Sequence, residues 1–463
     1  MSLSGERIGR TLTRRELLQR GAAAAGALAL SGGASSANAA STTFDGTIRV
    51  LGLGYDIEAP GVREQAEKDL GFPIIAVTRL PPDIQRLVGE EPATFDVFSC
   101  FAQDIAEFWT SGNLQPLETA RIERWGSVTP FYKLGKVLPG SACTYGQGDA
   151  AFRRLYVDPE RSGRWPGAAG APSSVAGELV EWANEKTGKR VGPEPRMSTG
   201  LPHCFNFDSF GYNADVLGKR PEELSWRELL NPRWRGRVAL NGVDPQGSLQ
   251  DVGNAVQATG LMRIRDLGNP TRSEIDRLFK ILLAYRRRGQ FFNIWRQPHD
   301  PVDWMRSGKI VVSAMWAPQI ATLAALGFPV RQASPREGYR AFAGLMSISA
   351  AVTDPARLDA CYAFFNWWHS GFAGSVVMRY GYYSAVQGTT RRFVTPGEYA
   401  YWIEGKPADR AYRGPYGDKS VRRLWVRDGG SFTRRACRIS SWNSTPAQQQ
   451  HFLERWQEFI SSF

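Results

Sequence analysis

Between residues 47 and 112 short apolar runs alternate with amphipathic ones, and this alternation constrains the fold more than any other feature. Thr47 to Leu51 reads as a strand, punctuated at its end by Gly52, Gly54 and Asp56. Pro60 opens a helix with Val62, Ala66 and Leu70 on one face, stopped by Gly71. Phe72 to Thr78 is a second strand, Pro82 to Val88 begins another helix, and Phe95 to Phe98 is a third strand. A helix to Thr110 follows and ends at Gly112. Strands joined through helices can lie parallel, because a parallel pair needs a long crossover. The expected class is therefore α/β.

A second run of the same kind begins at Cys204. Strands are predicted over Phe205 to Asn213, Arg237 to Leu240, Ile310 to Trp316 and Leu345 to Ser349. Trp226 to Leu229 reads as a helical turn, and helices are predicted over Leu249 to Ala258 and Arg272 to Arg288. Thr353-Asp354-Pro355 caps another helix, striped by Leu358, Cys361, Phe365 and Trp368. Thr445-Pro446 caps a last one, with Phe452, Leu453, Trp456 and Phe459 on one face. Residues 140–200 are broken by Gly140, Gly146, Gly148, Gly163, Gly167, Gly170 and Pro172. They read as a loop-rich insertion with one helix from Ser174 to Lys186.

The 463 residues suffice for two to three domains, and 42% apolar with 22% charged residues excludes a disordered chain. No run of 18 apolar residues is present, which excludes a multi-span helical membrane protein. The first forty residues read as an address. Arg14-Arg15 precede Leu17-Leu18, an Ala/Gly-rich stretch runs from Gly21 to Leu30, and small residues end at Ala37-Asn38-Ala39. The paired arginines give the form of a twin-arginine export signal, with cleavage after Ala39 and delivery to the periplasm. In that oxidising compartment some of the five cysteines could pair, with Cys100 and Cys361 read as buried thiols.

Catalytic signatures are missing. There is no P-loop, no complete dinucleotide fingerprint after Gly52-Leu53-Gly54, no C-x-x-C, no H-E-x-x-H and no G-x-S-x-G. His203, His299, His369 and His451 stand far apart, and Phe207-Asp208-Ser209 reads as a strand-end turn. Lys419, Arg422, Arg423, Arg427, Arg434, Arg435 and Arg438 interleave with Trp425 and Phe432. Because the leader points outside the cytoplasm, they are read as a solvated or salt-bridging face, and nucleic acid is not an expected partner. No cofactor, metal site or catalytic residue is expected.

One set of motifs stands in order. It comprises Arg49-Val50-Leu51 with Ala59-Pro60-Gly61, Phe95-Asp96-Val97-Phe98 with Gly112 to Leu117, and Phe210-Gly211-Tyr212-Asn213. Ser225 to Pro232 with Trp234 to Val238, Gly308-Lys309-Ile310 through Trp316, Pro335 to Gly338, and Gly381-Tyr382 complete it. The set resembles the extracellular solute-binding proteins of ABC importers, in the spermidine/putrescine-binding branch. The resemblance implies a two-lobed periplasmic-binding-protein-like fold of type II, with a ligand cleft between the lobes. Lobe 1 is expected over 44–205 plus 342–385, and lobe 2 over 209–339 plus 388–463. It further implies a small-molecule ligand and an inner-membrane permease as partners; the twin-arginine machinery would deliver the chain.

Strand ends facing the cleft nominate Tyr55, Asp56, Phe101, Gln103, Ser248, Gln250, Trp316, Phe342 and Tyr383 as ligand-binding residues. The helix that Ser248 and Gln250 open is expected to offer free amides. Polyamine binders of this family hold amines between aromatic faces and carboxylates. Here the aromatics Phe101, Trp316, Phe342 and Tyr383 remain, while Gly344 stands where those proteins carry an aspartate. An amine ligand with altered specificity is therefore expected. Arg296 and Arg331, and the pair Tyr382-Tyr383, keep an anion or iron receptor of the same fold as an alternative; a secreted cofactor enzyme is a further one.

Overall fold

The computed structural model describes residues 46–135, 143, 146–158, 178–182 and 190–463. Arg14, Arg15 and Ala39, the residues of the expected export signal, lie outside the described residues, as does most of the helix expected from Ser174 to Lys186. The described part of that helix is instead a strand, Glu178–Val180, paired antiparallel with Tyr156–Asp158 in a small four-stranded sheet.

In lobe 1, β1 (Ile48–Gly52), α1 (Val62–Leu70), β2 (Ile74–Thr78), α2 (Pro81–Glu90) and β3 (Val97–Phe101) follow the predicted alternation. β1 pairs parallel with both β2 and β3. The long β4 (Leu201–Asn213) then leaves this lobe. In lobe 2, β5 (Val238–Asn241), α3 (Pro245–Ala258), α4 (Arg272–Arg287), β6 (Phe291–Trp295) and β7 (Val312–Met315) repeat the pattern, with β5 parallel to β6 and β7. α5 (Ala317–Ala325) and β8 (Val330–Gln332) lead to the returning strand β9 (Tyr339–Ser349). β9 is buried along its whole length, which explains its apolar run.

The two lobes are joined by backbone pairing. The first half of β4 pairs with β9, and its second half with β7 and β8. Asp208 sits inside β4, opposite Arg340, so the strand-end turn expected there is replaced by continuous strand. One apolar cluster fills lobe 1 and two fill lobe 2.

After β9 come α6 (Pro355–His369), capped by the Asp354 side chain, and β10 (Tyr383–Ser384), paired with β4. The chain end serves both lobes. β11 (Ile439–Trp442) pairs parallel with β9, while α7 (Gln449–Ile460) lays Phe452, Trp456 and Phe459 around Phe279 of α4. Leu453, expected on that stripe, is one position off it and 37% exposed. Cys143 and Cys437 form a disulfide, and Cys100, Cys204 and Cys361 are buried thiols. No helix of the described residues is long and apolar enough to cross a membrane.

Candidate functional site

Parallel strands present their carboxyl ends to a common edge, and the turns there form the cleft. Phe101 closes β3, and in the turn after it Asp104 accepts hydrogen bonds from the Phe101 amide (3.2 Å) and Gln85 Nε2 (2.8 Å). Phe342 of β9 meets Phe101 edge-on at 5.5 Å, Tyr382 meets Phe342 at 5.4 Å, and Tyr55 meets Tyr382 at 4.8 Å. The four rings make one continuous row.

The row runs into a buried set of charges. Arg340 lies two residues before Phe342 and so shares its face of β9. Its Nε donates to Asp251 at 2.8 Å and its Nη1 to Asn443 Oδ1 at 2.9 Å, while Asp208 and Asp244 stand 3.5 and 3.9 Å away. Asp208 arrives from the paired position on β4, Asp251 from α3, and Asp244 from the cap of α3, where it accepts the Gly247 amide. Burial works against the charge of Arg340, but the carboxylates outweigh it and raise its pKa. Burial also pushes Asp251 up to about 7 and Asp208 up to about 6, against the pull of Arg340. Asp104 is pushed up to about 7 by burial, opposed by its hydrogen bonds and reinforced by Asp244. One guanidinium thus faces three carboxylates, with a fourth, Asp104, close enough to feel Asp244.

The chain end enters the same region. Asn443 donates its backbone N–H to Ala341 O (2.8 Å) and its Nδ2 to Asp244 (3.3 Å). Ser441 accepts from Asn254 of α3, and Thr445 donates to Gln103 O on lobe 1. Residues 441–445 therefore bond to both lobes across the cleft.

Of the nominated residues, Tyr55, Phe101 and Phe342 come together in the row. Trp316 lies apart from the row, just before α5 and edge-on to Trp295 at 4.9 Å, in an apolar cluster that Leu80 also joins. Tyr383 departs from expectation. It is fully buried among Phe205, Phe207 and Phe432 beneath the Arg427 guanidinium. Pairing of β10 with β4 turns Tyr383 toward Phe205 and Phe432, and its neighbour Tyr382, itself buried, joins the aromatic row. Asp56 is also internal and accepts the amides of Leu53 and Ile57, stapling the turn after β1. Gln103 is buried, and the polar contact made to it is at its backbone carbonyl.

Ser248 and Gln250 lie inside α3, which begins at Pro245. Their side chains donate to Asn241 O and Leu267 O. Asp244 caps that helix, its side chain accepting the Gly247 amide and its carbonyl the Ser248 amide. A Cβ at Gly344 would lie 2.6 Å from His203 Nε2, so an aspartate has no room at that position. His203 itself is held neutral, its pKa lowered to about 3 by burial.

Three of the seven basic residues near the chain end are internal clamps, while Lys419, Arg422, Arg423 and Arg434 are exposed. Arg427 donates to Trp402 O and Gly381 O, Arg435 to Phe207 O and Asp428 O, and Arg438 to Ser334 and Pro335 O. Arg331 is paired with Asp428, and Arg296 donates to Ile460 O. The rings of Tyr382 and Tyr383 pack on different groups, so they do not converge as a ligand pair. Sequence reasoning missed Asp104, Asp208, Asp244, Asp251, Arg340, Tyr382 and Asn443. The available signal was a charged residue inside each of two apolar strands, Asp208 and Arg340.

No family model matches the chain, and no curated protein matches it in sequence. Solved structures do match. A putative spermidine/putrescine ABC transporter protein of Listeria monocytogenes aligns with a TM-score of 0.59 at 11% identity, over 90% of this chain and 99% of that one. The AgtB PBP of A. tumefaciens, in complex with agropinic acid, aligns with a TM-score of 0.54 at 12% identity, over 90% and 99%. A spermidine/putrescine substrate-binding protein of Streptococcus pneumoniae aligns with a TM-score of 0.52 at 11% identity, also over 90% and 99%. The chain has the fold of periplasmic solute-binding proteins.

Proposed function

We propose that this protein is the substrate-binding component of an ABC importer, that its leader sends it through the twin-arginine route to the periplasm, and that it hands a small amine cation to an inner-membrane permease. The observation that carries the ligand class is the row Phe101–Phe342–Tyr382–Tyr55 ending at Asp104, Asp208, Asp244 and Asp251, with the Arg340 guanidinium among these four carboxylates and Arg435 also acting on Asp208. Aromatic faces favour a cation by about 0.5–2 kcal/mol. The remaining negative charge favours an ammonium over an anion. Two structures of this fold carry spermidine/putrescine names, and another holds agropinic acid, so the fold alone leaves the ligand open.

Closure of the lobes on the ligand is the motion this architecture supports, with β4 and β9 as the hinge strands. Thermal-shift screening with putrescine, spermidine, γ-aminobutyrate, neutral amino acids, citrate and phosphate tests the reading. A rise in Tm with at least one amine, and none with the anions, is expected. A rise with citrate or phosphate alone would overturn the cation assignment.

A further inference from the structure

A second one-sided surface lies at the other edge of lobe 2, away from the cleft. β5, β6 and β7 run parallel, so the segments that enter them meet at one edge. The Gly236 N–H donates to Gln290 O at 2.9 Å, and the Val311 N–H to Arg237 O at 2.8 Å. β4 ends at this edge with the Asn213 N–H on Val311 O, and β8 starts there with Val330 opposite Asn213. Arg422 of the chain-end segment reaches Gly327 O, just ahead of β8, at 3.5 Å. The edge is therefore a row of five strand ends, roughly 20 Å long at the usual strand spacing.

The segments that enter β5, β6 and β7 are basic, while one exposed acid, Asp215, follows β4 at the same edge. Arg233, Arg235 and Arg237 precede β5, Arg287 and Arg288 precede β6, and Lys309 precedes β7. Arg422 and Arg423 extend the row past β8. None of these forms an ion pair among the described residues. The nearby pairs engage other cations, Arg220 with Glu223, Arg306 with Asp303 and Lys219 with Glu228. At the end of the row stands Leu424, with a left-handed backbone (φ 67°) and 67% exposed; Val426 is 42% exposed. A left-handed branched residue costs roughly 1–2 kcal/mol, and an exposed leucine recovers nothing from water. Strain that projects an apolar side chain beside unpaired arginines marks an interaction surface.

We propose that this edge docks on an anionic lipid bilayer, with the arginines on headgroup phosphates and Leu424 and Val426 in the interfacial layer. The exposed apolar groups are aliphatic, whereas a nucleic-acid surface presents stacking aromatics; Trp425 is half-buried, with Arg422 over its ring at 5.2 Å. Docked this way, the cleft at the opposite ends of the same strands stays open to solvent. Co-sedimentation of the full chain with vesicles tests the assignment. Binding to vesicles of phosphatidylglycerol in phosphatidylcholine is expected, with none to pure phosphatidylcholine and loss in high salt. Arg233→Glu with Arg235→Glu should weaken binding at least about tenfold. Leu424→Gly relieves the backbone, so it should weaken binding several-fold without lowering Tm. Equal binding by the variants and the native chain, equal binding to neutral vesicles, or tighter binding to duplex DNA than to the anionic vesicles would overturn the proposal.

Discussion

Replacing Arg340 by Met removes a guanidinium and keeps an unbranched stem of similar length. Arg340 is 1% exposed and is the cation that Asp208, Asp244 and Asp251 share. Removing one partner from a buried ion pair costs about 3–5 kcal/mol, because the other partner is left desolvated. The orphaned carboxylates can escape that cost by taking up protons, which makes the loss depend on pH. Asp208 and Asp251 already stand at about 6 and about 7, raised by burial. Loss of the cation raises them further. A carboxyl whose folded pKa exceeds its unfolded value holds an extra proton in the native state, so stability falls as pH rises from about 4 through the folded pKa. The deficit of Arg340→Met should therefore be about 3–5 kcal/mol at pH 8 and smaller by about 2 kcal/mol or more at pH 5. Urea denaturation followed by tryptophan fluorescence at the two pH values measures it. A deficit equal at both, or below about 1 kcal/mol at pH 8, would refute the shared-cation reasoning.

Asp104 is 4% exposed and pushed up to about 7, so it lowers native stability as pH rises from about 4 to 7. Asp104→Asn should gain roughly 2–4 kcal/mol relative to the native chain between pH 5 and pH 8.5, and a flat difference in paired denaturation curves contradicts this. Restoring an aspartate at Gly344 should lower stability by about 1–3 kcal/mol through overlap with His203, with no gain in amine affinity; a variant that binds amines better would contradict the packing seen there. The Cys143–Cys437 disulfide closes a separation of 294 residues, so Cys143→Ser should cost about 2–5 kcal/mol by calorimetry, and an unchanged Tm would contradict a structural role.

The strand and helix alternation was legible because it is local. Each parallel strand needs its own crossover, and capping residues such as Asp354 mark where helices begin. The site was less legible because its contacts are distant in sequence: Arg340 meets Asp251 across 89 residues and Asn443 across 103. Composition gives no warning of that convergence. Tyr382 and Tyr383 show a second limit. Which of two adjacent tyrosines joins the aromatic row depends on how β10 pairs with β4, and a one-residue difference exchanges the groups a ring packs against. Ser248 and Gln250 show a third: the helix starts at Pro245 under an Asp244 cap, so positions read as its open end lie inside it. The chain end divides its contacts: α7 packs on α4, while β11 pairs with β9 and Asn443 bonds to Arg340 through strand pairing that no periodicity announces.

The central claim is that the aromatic row and its carboxylates hold an amine. Isothermal titration of putrescine and spermidine into the native chain and into Phe101→Ser at pH 7.5 tests it most directly, because Phe101 is half-buried and its loss should spare the core. Saturable binding to the native chain is expected, weakened about fivefold to thirtyfold in the variant. Folded native protein that takes up neither amine, or a variant that binds as well as the native chain, would contradict it.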